Sequence, residues 1–212
     1  MAVTLDVYFD FACPYCFLGE FPLERALYGR QVTVTHRAFE LRPYPEPTLD
    51  PAGAYLKETW EQSVYPLSRG LRVPIKLPPV QPHTHLAFEG LIFAQERLVE
   101  PAYRHRVYAA FFQEGLDIGK LDVLAGLASE IGLSRQEFLD DVGSRRYWPA
   151  HRAALRHAYD EVRVTSVPTF VVGGRHLIGM QSTEALAKAL DEAEAAAAPV
   201  VPPEESAQGE GI

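Results

Sequence analysis

Cysteine is almost absent from this chain, which has 2 cysteines among 212 residues. Both lie in the sequence CPYC, as Cys13 and Cys16. A pair so close in sequence cannot join distant parts of a fold, so the chain lacks the disulfide framework of small secreted domains. Because the pair has no structural cross-link to make, we predict that it is reactive.

Positive charge and long apolar runs are also scarce. The chain has 20 Lys and Arg residues against 28 Asp and Glu residues, a formal net charge of -8, which excludes the basic surface of a typical nucleic-acid-binding protein. No apolar run approaches the ~18 residues that suggest a membrane-spanning helix. The first residues show no targeting pattern. We therefore expect a cytoplasmic protein without nucleic-acid or membrane partners, either a monomer or a homodimer.

Strand patterns lie at the two ends of the chain. Residues 3–9 and 32–39 are rich in β-branched and aromatic residues. Similar patterns return at 169–172 and 176–178, where Gly173-Gly174 predicts a tight hairpin turn. Because the strands lie so far apart in sequence, the two ends of the chain must come together to form one sheet.

The residues between these strands are mostly helical in pattern. Residues 13–28 form the first predicted helix, a short helix is predicted at 52–63, and the sequence SRQE at 134–137 is a capping box that begins another. We expect an α/β fold in which residues 45–145 are a helical insertion. Residues 197–212, rich in Pro, Glu and Gly, are predicted to be a disordered tail.

The position of the cysteines predicts their chemistry. Cys13 follows a strand and begins a helix, where unpaired backbone amides stabilise a thiolate. Pro14 is compatible with the first turn, and Tyr15 adds no positive charge. Cys16 lies one turn on, on the same helix face, close enough to close a disulfide. We expect Cys13 to be the exposed, attacking thiol and Cys16 the buried thiol that resolves a mixed disulfide.

Two other interpretations of the pair are weaker. The cysteines could be ordinary core residues that share a helix, but a Cys-x-x-Cys after a strand is a recognised redox pattern. They could also bind zinc together with His83 and His85, because a structural zinc site needs four ligands. That spacing matches no common zinc module, and there is no second cysteine pair. We therefore predict no metal site.

A second signal, far downstream, completes a resemblance to a known family. In SVPTF, Pro168 stands directly before a strand, and the residues alone slightly favour a trans peptide bond. The chain resembles the DsbA-like branch of the thioredoxin-fold superfamily, and within it the cytosolic FrnE-like subgroup. The similar segments span residues 3–190: CPYCFLGEFPLERAL, FELRPYP, HTHLAFEGLIFAQE, FFQEGLDIGKLDVL and SVPTFVVGGRHLIGMQSTEAL.

The resemblance implies a thioredoxin fold, with a central mixed sheet flanked by helices and a large all-helical insertion. Residues 1–44 and 146–196 would form the discontinuous thioredoxin-like domain, and 45–145 the insertion. Cys13 would be the nucleophile and Cys16 the resolving cysteine. Pro168 would be cis and close to this pair, while the substrate would contact three further residues: Pro14, Tyr15 and the backbone of Val167.

These features favour a thiol–disulfide oxidoreductase that acts on protein disulfides and dithiols or on glutathione. No cofactor is implied beyond the two cysteines, with glutathione as a co-substrate. The alternative is a glutathione-dependent isomerase or transferase, of the hydroxychromene-carboxylate isomerase or kappa-class type. A third hypothesis is a redox-dependent binding module. Tyr15 and His83-Thr84 depart from the family pattern, which often has Trp and Asn-Thr there, so the substrate class stays open.

Overall fold

The computed structural model describes residues 3–197, in which four strands form one sheet. The strands are β1 (Val3–Phe9), β2 (Val32–Ala38), β3 (Thr169–Val172) and β4 (Arg175–Ile178). Their order is β2-β1-β3-β4, with β1 and β2 parallel and the other pairs antiparallel. The two ends of the chain therefore share one mixed sheet, as predicted. The predicted tail lies almost wholly outside the described residues.

Nine α-helices are described between residues 3 and 197. They are α1 (Pro14–Leu27), α2 (Ala54–Thr59), α3 (Tyr65–Leu71), α4 (His85–Glu96), α5 (Glu100–Ala109), α6 (Leu121–Glu130), α7 (Arg135–Gly143), α8 (Trp148–Arg156) and α9 (Thr183–Ala197). Helices α2 to α8 lie between β2 and β3 in sequence. The division of the chain at residues 44 and 145 stays a prediction. None of these helices is long and apolar enough to cross a bilayer.

Three single π-helical turns extend these helices. They lie at Trp60–Val64, Ala110–Glu114 and His157–Glu161. The first joins α2 to α3, so the helix predicted at 52–63 continues to Leu71. A π-helical turn adds one residue to a turn and shifts the side-chain period, and such turns are frequent at functional sites.

The central strand β1 determines where the two cysteines lie. Its sequence VTLDVYF alternates between the two sides of the sheet at first and is wholly buried at its last three residues. One apolar cluster joins the sheet to α1 and α9, through residues such as Val7, Leu23 and Leu190. A second, larger cluster fills the helical region and includes both cysteines. The end of β1 therefore places Cys13 where the sheet meets the helical region.

The predicted hairpin turn and the serine half of the predicted capping box are confirmed. The Ser134 side chain accepts a hydrogen bond from the Glu137 amide at 3.3 Å and caps α7. Gly173 and Gly174 join β3 to β4 with φ angles of 56° and 77°. A two-residue hairpin with positive φ at both positions strongly favours glycine, because a Cβ disfavours that backbone.

Packing in the helical region leads to a stability prediction at Gly90 of α4. A Cβ added there would lie 2.7 Å from Cζ of Phe138 and would also overlap the Tyr103 hydroxyl. We expect Gly90→Ala to lower the free energy of unfolding by about 1–3 kcal/mol, the usual cost of overpacking. Gly126→Ala in α6, where nothing lies within 4 Å, is the matched control. We expect Gly126→Ala to raise the free energy of unfolding by up to ~1 kcal/mol, as measured by urea denaturation. Equal effects of the two substitutions would contradict the close packing around Gly90.

Candidate active site

Cys13 is the residue immediately before α1, as predicted. Strand β1 ends at Phe9, and the short turn that follows is closed by the Cys13 amide, which donates to the Asp10 carbonyl at 3.1 Å. Cys13 has extended backbone, and Pro14 begins the helix. The Cys16 amide donates to the Cys13 carbonyl at 3.1 Å. Both thiols therefore lie on the first turn of α1, where the helix dipole favours an anion.

The segment around Pro168 lies beside Cys13. The Cys13 thiol donates to the Val167 carbonyl at 3.6 Å, a contact between residues 154 positions apart. The Val167-Pro168 peptide bond is cis, as the resemblance implied and the residues alone did not. A Cβ on Gly19 of α1 would lie 3.6 Å from Cγ of Pro168, so this proline packs directly on the helix that carries the cysteines.

The predicted exposure of Cys13 is wrong. Its exposed fraction is 2%, the same as that of Cys16, and neither cysteine forms a disulfide in this structure. The sequence places Cys13 at a helix end, which is ordinarily a surface position. Here α2 and the loops around it lie over that end, so the thiol faces a cavity.

This cavity has a volume of about 330 Å³ and is bounded by the cysteine motif, the Pro168 segment and the helical region. Four of the six predicted site residues line it: Cys13, Pro14, Tyr15 and Val167. Cys16 and Pro168 are not among the lining residues. The other walls come from residues 41–49, from helix α2 and the start of the π-helical turn after it, and from residues 81–84. They include Arg42, Leu49, Tyr55, Trp60 and Gln81. A ligand that reaches Cys13 must enter this cavity.

Cys16 is held as a thiol by its surroundings. Burial is the main cause that raises its pKa well above the ordinary value, and a side-chain hydrogen bond with Cys13 raises it further. The negative charge of Asp10 also raises the pKa of Cys16, whereas a backbone hydrogen bond from Asp10 lowers it. Cys16 therefore needs a nearby proton acceptor before it can act as a nucleophile.

Asp10 is a buried carboxyl group at the edge of the cavity, 2% exposed. One oxygen accepts from the Ala12 amide at 3.1 Å and from the Thr84 hydroxyl at 2.8 Å, and the other accepts from the Leu41 amide at 2.7 Å. Burial raises the pKa of Asp10 to about 6, with a smaller contribution from the charge of Glu40, although the three hydrogen bonds oppose the rise. With a pKa of about 6, Asp10 is mostly ionised at neutral pH and gains its proton just below it.

Sequence reasoning missed the role of Thr84 and the wall formed by α2. Asp10 was visible as an acid three residues before Cys13, but nothing in the sequence indicated its burial. The weaker zinc interpretation finds no support among residues 3–197, because His83 and His85 form no metal-ligand group with the cysteines there. His83 instead contacts the Glu46 carbonyl at 2.8 Å, and His85 stacks edge-on with Trp148.

Comparisons with known proteins agree with this geometry. A family model described as the DSBA-like thioredoxin domain matches residues 4–191. Protein YwbO of Bacillus subtilis is 42% identical over 195 residues, which cover 91% of this chain and 98% of YwbO. The predicted FrnE-like subgroup is not tested by these matches.

Two solved structures share the fold. The probable DsbA oxidoreductase SCO1869 from Streptomyces coelicolor superposes with a TM-score of 0.81 at 23% identity, over 94% of this chain and 93% of that one. The cytosolic disulfide reductase DsbM from Pseudomonas aeruginosa, solved with GSH, gives 0.64 at 20% identity, over 91% and 96%. The predicted thioredoxin fold is confirmed, and the chain belongs to the DSBA-like thioredoxin domain family.

Proposed function

We propose that this protein is a cytoplasmic thiol–disulfide oxidoreductase that reduces small disulfides of the glutathione class. One observation carries the proposal: Cys13 is buried at a helix start, inside a cavity, with Cys16 one turn behind it. Helix starts stabilise thiolates, and the cavity restricts which disulfides reach the sulfur.

In the first step, the Cys13 thiolate attacks one sulfur of the substrate disulfide. A bond forms between Cys13 Sγ and that sulfur, the substrate S–S bond breaks, and the other half leaves as a thiolate. The Val167 carbonyl, 3.6 Å from Cys13 Sγ, lies where an extended peptide can pair with it by strand addition. Peptide-like substrates therefore approach along the Val167 backbone.

In the second step, Cys16 resolves the mixed disulfide. Because burial raises the pKa of Cys16, the thiol must give up its proton as it attacks Cys13 Sγ. Asp10, whose pKa is about 6, is mostly a carboxylate at neutral pH and accepts that proton. The Cys13–Cys16 disulfide forms, and the second half of the substrate leaves as a thiolate.

The oxidised pair must then be reduced again. Two molecules of a second thiol, different from the one released, do this by the reverse exchange, so the net reaction converts one substrate disulfide and two molecules of the second thiol into two substrate thiols and the disulfide of the second thiol. No further cofactor takes part in this scheme. In a reducing compartment, this exchange keeps the pair largely as the dithiol, which favours reduction over net oxidation.

The cavity favours small or extended disulfides over a folded protein surface. Its volume of about 330 Å³ is at the lower end of the range typical of ligand pockets. With 2% exposure, Cys13 is not accessible to a flat partner. DsbM, which shares the fold, has been solved with GSH. A protein disulfide reaches Cys13 only if its cysteine lies on an extended segment.

A trapping experiment tests this proposal. Cys16→Ala cannot resolve mixed disulfides, so glutathione disulfide should leave one glutathione attached to Cys13, detected by intact-protein mass spectrometry and removed by a reductant. The matched control is Cys13→Ala, in which Cys16 is 2% exposed and behind the cavity, and it should acquire no adduct.

Three results of this trapping experiment would contradict the proposed function. Equal labelling of the two variants would show that the cavity does not select Cys13, and absence of label in Cys16→Ala would exclude the exchange itself. If Cys16→Ala expressed in cells captures only proteins, and purified variant ignores glutathione disulfide, protein disulfides are the substrates instead.

Arg42 is a basic residue in the cavity wall and suits the carboxylates of a glutathione-class substrate. We expect Arg42→Gln to raise KM for glutathione disulfide about fivefold with little change in kcat, because an exposed charge pair contributes up to about 1 kcal/mol of uniform binding. Arg156→Gln, at an exposed position on α8, is the control with unchanged KM. A fall in kcat alone would place Arg42 outside substrate binding.

A further inference from the structure

Glu40 is a second buried carboxyl group close to the cysteine cavity, 3% exposed, and the reaction steps given above do not use it. It follows β2 as Asp10 follows β1, and these two strands are parallel neighbours in which Phe9 pairs with Ala38. The Phe39 amide extends the pairing, because it donates to the Phe9 carbonyl at 2.9 Å. Asp10 and Glu40 therefore leave the sheet at the same edge.

Two contacts hold Glu40 in place. Its Oε1 lies 2.6 Å from Nε2 of His151, a ring on α8 that is 0% exposed, and its backbone carbonyl accepts from the Tyr159 hydroxyl at 2.6 Å. The peptide group with that carbonyl also contains the Leu41 amide. This amide donates to Asp10 Oδ2 at 2.7 Å, the shortest of the three hydrogen bonds to Asp10. The contacts that hold Glu40 therefore also fix a donor to Asp10.

The burial of Glu40 is not explained by stability. Its second oxygen, Oε2, is buried and has no hydrogen-bond partner among residues 3–197. A buried carboxyl oxygen without a partner is costly, and replacing a buried polar pair by apolar side chains is often neutral or stabilising. What Glu40 does change is Asp10: after burial, which is the larger cause, its charge also raises the pKa of Asp10.

We propose that Glu40, held by His151 and Tyr159, is a positioning residue for Asp10 in the resolution of the mixed disulfide. This inference rests on the proposed function, in which Asp10 accepts the Cys16 proton. Glu40 acts in two opposite ways. Its charge makes Asp10 a stronger base, whereas the adjoining Leu41 amide stabilises the Asp10 carboxylate. A general base is most effective when its pKa lies near the working pH, and these two effects together keep Asp10 there.

Other titratable groups face the two carboxyl groups from every element packed against them. They are Cys16 of α1, His85 and Glu89 of α4, Tyr108 of α5, His151 of α8 and Tyr159 of the π-helical turn after it, together with Arg145, which pairs with Glu89 at 2.9 Å. Burial raises the pKa of Cys16 and of both tyrosines and lowers the pKa of His85 to about 4, so these four groups are neutral near pH 6. Burial raises the pKa of Glu89 to about 7, so Glu89 titrates in the same range as Asp10. The experiment must therefore observe Asp10 itself.

An NMR titration of the Asp10 carboxyl carbon tests the proposal. The signal is identified by its absence from the spectrum of Asp10→Asn, and in the native chain its midpoint should lie near pH 6. Glu40→Gln removes the charge but keeps an oxygen for His151, and it should lower the midpoint by about half a pH unit. Tyr159→Phe releases the Glu40 carbonyl and should raise the midpoint, because the Leu41 hydrogen bond that stabilises the carboxylate is weakened.

The matched control is Glu161→Gln. Glu161 also pairs with a histidine, His157, at 2.9 Å, but its side chain is 71% exposed. This change should leave the Asp10 midpoint unaltered. A midpoint that is the same in the native, Glu40→Gln and Tyr159→Phe proteins would overturn the proposal.

A kinetic measurement separates this inference from the proposed function. The rate at which the glutathione adduct is resolved, followed by rapid mixing, should shift along the pH axis in the same direction as the Asp10 midpoint in each variant. A shifted midpoint with a resolution rate that does not follow it would contradict the role of Asp10 as proton acceptor, and with it both proposals. An unchanged midpoint would contradict the role of Glu40 alone.

Discussion

A Cys13→Ser variant is expected to exchange disulfides no faster than the uncatalysed reaction, a loss of at least about 10³-fold. Serine preserves the shape of the site and the helix start but cannot form a disulfide. Cys16 cannot replace it, because Cys16 does not line the cavity and burial raises the pKa of its thiol. The measurement is the steady-state reduction of glutathione disulfide with excess thiol.

The control for this change is Ala12→Ser, which adds a hydroxyl group at the adjacent cavity residue and leaves both thiols intact. It should retain most of the activity, and both proteins should unfold at nearly the same denaturant concentration. Full turnover of a small-molecule substrate by Cys13→Ser would contradict the oxidoreductase proposal. It would favour instead the glutathione-dependent isomerase or transferase, whose chemistry needs no thiol pair.

The regular parts of the fold could be predicted from the sequence because their signals are local. Strand β1 was predicted with its observed ends, since VTLDVYF combines β-branched and aromatic residues and is followed by a turn. The cap at Ser134 and the turn at Gly173 were also predicted. A helix start requires a side chain that accepts a hydrogen bond, and the hairpin turn requires a positive φ angle, and few residue types satisfy either requirement.

The π-helical turns could not be predicted in the same way. The π-helical turn at Trp60–Val64 interrupts the 3.6-residue period of apolar side chains. The sequence pattern therefore predicted a helix that ends at residue 63, although the helical segment continues. Long-range packing stabilises this segment, because Trp60 is buried and lies against Phe112, with the two ring centroids 6.1 Å apart. Such contacts are invisible in a local window.

The site shows the same division between local and distant information. The CPYC motif identified both cysteines and the helix start, but burial of Cys13 depends on α2 and on residues 41–49, which cover it. The hydrogen bond from Thr84 to Asp10 spans 74 positions of sequence. No composition or spacing argument predicts that contact, because the two residues are so far apart in sequence.

The ionisation of Asp10 should be measurable as a pH-dependent stability. Its pKa rises from 3.8 to about 6 on folding, so between these values the folded state binds more protons than the unfolded state. Stability is therefore greatest below the unfolded pKa and falls as pH rises through about 6. The difference between a pKa of 3.8 and one of about 6 corresponds to about 3 kcal/mol over the whole titration.

An Asp10→Asn variant lacks this ionisation. Its free energy of unfolding, minus that of the native chain, should rise by about 2 kcal/mol between about pH 4 and about pH 7. The asparagine also places an amide nitrogen against one of the backbone donors, but that penalty is the same at every pH, so the slope isolates the charge. Urea denaturation across this range measures it. Asp122→Asn, which removes a carboxylate that is 83% exposed, is the control for the loss of a surface charge.

The Asp10→Asn variant also tests whether the buried Asp10 carboxylate takes part in catalysis. If Asp10 accepts the Cys16 proton, Asp10→Asn should resolve mixed disulfides at least about 100-fold more slowly, the usual contribution of general base catalysis. The attack by Cys13 should be retained, so rapid mixing with glutathione disulfide should accumulate the adduct that the native chain clears. In the native chain, the resolution rate should rise with pH through about 6, as the carboxylate forms. Resolution that is equally fast in both proteins would assign Asp10 to the support of the Leu41 and Thr84 contacts alone.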